Sequence, residues 1–90
     1  MNAQEKEQAA IELRGLGGHA RRLLEECVEH QGITRSKPSK SAEALFDAGF
    51  VYIREIGDII EPNKVEINPA LWGEEALEAL EEMEEKRKKK

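Results

Sequence analysis

A chain of 90 residues with a single cysteine cannot build an intramolecular disulfide, and an extracellular domain of this size would ordinarily need several. The lone Cys27 therefore predicts a reducing, cytoplasmic setting. No apolar run approaches the roughly 20 residues that a bilayer span requires. The opening Met1-Asn2-Ala3-Gln4-Glu5 also lacks the basic-then-apolar layout of a secretory signal, so the expectation is a protein neither exported nor membrane-bound. Aromatics are scarce. Phe46, Phe50, Tyr52 and Trp72 are the only ones, which leaves an aliphatic and thin core. A chain this short buries only roughly 60% of its unfolded surface, enough for one domain and no second core.

Clusters that carry chemistry are missing too. Cys27 and His30 stand three apart on one helical pattern with His19 upstream, but nothing completes the three or four ligands a metal needs. Ser36, Ser39 and Ser41 have neither a histidine at a diagnostic spacing nor a nucleophile elbow. Gly15, Gly17 and Gly18 do not follow a strand, so a dinucleotide fingerprint is excluded. No pair of titratable groups has the spacing of acid–base work. The expectation is a binding protein, not an enzyme, with no catalytic residue, no metal and no cofactor.

What the chain does have is helical periodicity. Ala9, Leu13, Leu16, Ala20, Leu23 and Cys27 recur at steps of four and three, interrupted by the three glycines, where a break is expected near residues 15 to 18. Ala20, Leu23, Leu24, Cys27 and Val28 give the stronger stripe, and Gly32 stands where it should stop. Residues 34–41 read as a turn becoming a helix, with Ser36 as candidate cap and Pro38 in the first turn; Ala42, Leu45 and Phe46 face inward and Gly49 ends it. Two short antiparallel strands follow, in Phe50–Ile56 and Lys64–Ile67. Asn68-Pro69 signals a last helix whose apolar seam is Ala76, Leu77, Leu80 and Met83. The regions expected are N-terminal helices in 1–31, a recognition helix in 34–49, a wing in 50–68 and a C-terminal helix with basic tail in 69–90.

Net charge of −5 disfavours a phosphate backbone as partner, but its distribution is uneven. Residues 33–41 hold Arg35, Lys37 and Lys40 and no acid, whereas 74–85 hold seven glutamates and no base. The last five residues, from Lys86 to Lys90, are all basic.

Gly32 to Val51, GITRSKPSKSAEALFDAGFV, resembles the segment of MarR-type regulators that runs from the helix-turn-helix turn through the recognition helix to the first wing strand. Gly32, Ile33 and Thr34 match the turn, and Leu45, Ala48, Gly49 and Phe50 match the exit. Val65 to Trp72, VEINPALW, is similar to the strand-to-helix step of plasmid RepL-like replication initiators. Together the two resemblances cover about 40 residues.

They imply an α+β, mostly helical, winged helix-turn-helix fold with a two-stranded β-hairpin wing and a long C-terminal helix. They also imply a small regulator or initiator that places the helix 38–48 in the major groove of double-stranded DNA. Carried over by position, Thr34, Arg35, Lys37, Ser39, Lys40 and Glu43 face the groove, with Arg21, Arg22 and Arg54 in reach of the backbone. Pro38 departs from the family, which carries a small apolar residue there, and the wing is acidic through Glu55, Asp58, Glu61 and Glu66. A protein-interaction module using that wing and the acidic C-terminal helix therefore stands as the alternative. The seam of Leu77, Leu80 and Met83 is expected to form a homodimer interface.

Overall fold

A computed structural model describes residues 2–88, in the order α1 (Ala3–Gly15), α2 (Gly18–His30), β1 (Ile33–Arg35), α3 (Lys40–Asp47), β2 (Val51–Glu55), β3 (Val65–Pro69) and α4 (Leu71–Lys88). The fold is α+β: four helices and a three-stranded antiparallel sheet.

Local signals set most boundaries. Asn2 caps α1 by accepting from the Glu5 N–H at 2.9 Å. The expected break falls on Leu16 and Gly17. Helix α2 ends in a Schellman turn: Gly32 N–H donates to Cys27 O at 2.9 Å, and Gln31, not Gly32, occupies the left-handed cap at φ 56°. The same turn closes α3, where Phe50 N–H reaches Leu45 O at 2.9 Å and Gly49 sits at φ 81°, as its sequence position predicts.

Four expectations are corrected. The sheet has three strands, in the order β1-β3-β2, because Ile33–Arg35 pairs with β3: Ile33 opposes Ile67, and Arg35 opposes Val65. The helix expected over 34–49 spans Lys40–Asp47, so 34–39, Ala48 and Gly49 of the expected 34–49, and Pro38, Ser39 and Ala48 of the expected 38–48, lie outside it. The cap is Ser39, whose Oγ accepts from Ala42 N–H at 3.1 Å, and not Ser36. The physical reason lies in Pro38, which disfavours helical backbone at Lys37 and defers the helix until a hydroxyl can cap it. Pro69 likewise ends β3 and does not open α4. It lies past the end of β1, so its missing N–H removes no bond from that ladder.

Val51 of β2 and Val65 and Ile67 of β3 point into the core, leaving Tyr52, Arg54, Glu66 and Asn68 on the outer face. The core joins these strands to Leu13, Leu24, Cys27, Leu45, Phe50, Leu77 and Leu80. Phe50 ties three elements together: its N–H closes α3, its carbonyl accepts from Ala70 N–H at 3.0 Å, and its backbone lies against Gly73 of α4.

Candidate nucleic-acid interface

Residues 34–43 form the approach to α3 and carry the bases on which a phosphate contact depends. Thr34 and Arg35 sit on β1, and Lys37 and Pro38 in the connection. Ser39 caps, and Lys40 and Glu43 lie in the first turn of α3. Lys37 and Lys40 are exposed and make no ion pair among the described residues. Arg35 is also exposed but occupied: one guanidinium nitrogen lies 2.7 Å from a Glu26 carboxylate oxygen, and the other donates to Thr34 O at 3.0 Å.

Between α2 and the start of α3 lies a shallow depression of about 190 Å³, lined by His19, Arg22, Glu26, Arg35, Ser39 and Ser41. Arg22 is exposed and makes no ion pair among the described residues. It thus joins Arg35 and Ser39 on one surface, with the positive end of α3 beside them. Sequence reasoning missed His19, Glu26 and Ser41 as neighbours of this surface, because only the crossing of α2 over β1 and α3 brings them there.

Arg21 and Arg54 are not brought to it. Arg21 turns toward α4 and grips both carboxylate oxygens of Glu84 at 2.6 Å. That bond raises the guanidinium's pKa and stabilises its charge, so the group is held inside the chain's own packing. Arg54, on the outer sheet face, pairs with Glu66 at 2.8 Å. The Glu66 carboxyl is held below the usual range by the Asn68 side-chain amide and then by Arg54.

The connection between β2 and β3 is well built. Asp58 accepts from the Ile60 and Glu61 N–H groups at 2.9 and 2.8 Å, and these donors hold its carboxyl below the ordinary range. The turn presents Ile59 and Ile60 to solvent, 100% and 87% exposed, beside acidic neighbours.

The expected dimer seam is occupied within the chain. Leu77 and Leu80 are buried in the core and Met83 packs against it, so Leu77 and Leu80 offer no free apolar stripe. Side chains of the basic tail beyond Lys86 lie outside the described residues. Among the described residues, no group of three His, Cys, Asp or Glu is placed to hold a metal, and no helix is long and apolar enough to cross a membrane.

No protein-family model, curated protein or solved structure matches the chain.

Proposed function

We propose that the chain is a winged helix-turn-helix protein that binds double-stranded DNA, with α3 toward the major groove and the loop between β2 and β3 as its wing. The β2–β3 hairpin that follows α3 directly supports this reading, while α2 and α3 are joined through residues 31–39 with β1 in the connection. One observation carries it: the exposed Lys37 and Lys40 at the entry to α3, beside the depression holding Arg22, Arg35 and Ser39. Bases at a helix start can reach phosphates and base edges together. A regulatory or initiator role follows from the sequence resemblance alone.

The test is duplex affinity at two salt concentrations. Changing Lys37 and Lys40 together to alanine should weaken binding and reduce the log–log salt slope by about 2, since each phosphate contact contributes about 0.9. Absence of duplex binding by the native chain, or an unchanged slope in the double variant, defeats the proposal.

One observation favours a second reading, a protein-interaction module. Arg21, Arg35 and Arg54 are all committed to internal glutamates, while Glu55 and Asp58 stay exposed on the hairpin next to Ile59 and Ile60. Such a hairpin suits a basic, apolar protein surface better than phosphate. Retention on a nuclease-treated basic protein, lost on changing Ile59 and Ile60 to serine, would select this reading.

A further inference from the structure

Helices α1 and α4 border an open groove of about 380 Å³. Its apolar lining comes from Ala3 of α1 and from Ala79 and Met83 of α4, the last two one helical turn apart. The alanines leave room for a large side chain from outside, and the unbranched Met83 can fit itself to what enters. From Glu75 to Lys86 the α4 wall runs about 16 Å, the length of roughly three turns of a helix laid beside it.

The charge around this lining is one-sided. Four acids, Glu7, Glu75, Glu78 and Glu82, stand against two bases, Lys6 and Lys86. Glu75 Oε2 is closed to solvent, so an incoming group meets Glu7, Glu78 and Glu82, all three exposed. None of these three is in an ion pair among the described residues, so the groove's own lysines leave them uncompensated. The acids also oppose one another along α4. Glu74, Glu78 and Glu82 stand four apart, a spacing at which like charges repel and weaken a helix. A cation laid in the groove relieves that repulsion, and an apolar side chain between its charges covers Ala79 and Met83. A small polar cation meets only the first of these needs.

We propose that the groove takes a basic amphipathic helix of a protein partner, with its aliphatic face over Ala79 and Met83 and its lysines or arginines against Glu7, Glu78 and Glu82. Charge complementarity selects this occupant: an anionic partner is repelled, and a second copy of the same surface would set acids against acids. The apolar lining between two helices is what a third helix covers when it lies in a groove. The contact rests on the packing of α1 against α4 and is independent of both the DNA reading and the hairpin reading. Because the three acids are exposed, binding is salt-sensitive.

Fluorescence anisotropy with the full chain tests the proposal. The probe is a labelled synthetic peptide of about three helical turns, leucines on one face and lysines on the other, and its control is a scramble of the same composition with the leucines spread around the helix. The native chain should bind the ordered probe about tenfold more tightly than the scramble, and less tightly as salt rises. E78K with E82K should weaken binding by about tenfold, with an unchanged circular dichroism spectrum. E12K with E29K alters the net charge equally on exposed acids outside the groove, and should change affinity by less than about twofold. E78Q with E82Q, which keeps the shape of the side chains, should remove most of the salt dependence. No binding of the ordered probe, equal binding of the scramble, displacement of the probe by an equal charge of spermidine, or equal losses in the two lysine variants would each overturn the proposal. Self-association of the native chain that E78K with E82K abolishes would overturn it too, by putting a second copy in the groove.

Discussion

Replacing Gly73 with alanine pits two effects of opposite sign against each other. Helix propensity alone favours alanine in α4 by about 0.5–1 kcal/mol. The structure opposes it: a β-carbon at 73 would press into the backbone of Phe50, with its carbonyl carbon at 2.9 Å and its Cα at 3.1 Å, and the carbonyl oxygen nearer still. That backbone cannot yield cheaply. Its N–H is bonded to Leu45, its carbonyl to Ala70, and its side chain is wholly buried. Overpacking of this kind costs typically 1–3 kcal/mol, and backbone against backbone, with no rotamer to relieve it, belongs at or above the top of that range. The net expectation is a loss of about 2 kcal/mol, or a melting temperature lower by roughly 8–16 °C for a domain of this size. Gly15, also helical, has nothing within 4 Å of its would-be β-carbon, so G15A should be neutral or gain a few tenths of a kcal/mol. Thermal unfolding followed by circular dichroism reads both variants side by side. A G73A protein as stable as the native chain would show that the close approach of α4 to Phe50 is wrong.

The remaining predictions concern Cys27 and Glu26, both on α2. Burial pushes the Cys27 thiol up to about 11, so native protein at pH 8 should resist iodoacetamide and react only when unfolded; rapid native labelling would contradict its place in the core. The same shift makes the unfolded chain ionise first, so stability should fall between about pH 9 and pH 11, a slope that a C27A variant should lack. Changing Glu26 to glutamine frees Arg35 from its ion pair and removes a carboxylate from the depression. If that surface meets DNA, affinity should rise by about 1.4- to fivefold, in keeping with an exposed pair of about 0.2–1 kcal/mol, and a fall in affinity would place Arg35 away from the duplex.

Much of this architecture is legible from local spelling. The stripe from Ala20 to Val28, the stop at Gly49 and the alternation in Val65–Ile67 each depend on neighbours a few residues away, and each forms as its pattern predicts. The break between α1 and α2 falls where glycine's cost accumulates. What escaped is long-range. Ile33–Arg35 is three residues with no alternation of its own, and it becomes a strand only because β3 lies alongside. The seam at Leu77 and Leu80 is plain in the sequence, but periodicity cannot say whether α1 or another chain covers it. The fates of Arg21, Arg35 and Arg54 were hidden for the same reason, since 19 acids offer too many partners for spacing to choose among. The start of α3 was a local miss: Ser36 and Ser39 are equal as caps until the restriction that Pro38 places on Lys37 is counted.

The Arg21–Glu84 clasp ties α2, which forms one wall of the depression beside α3, to the C-terminal half of α4. Residues 63 apart in sequence are held within 2.6 Å by two parallel bonds, so fraying of α4 back past Glu84 would also let go of the helix on which Arg22 stands.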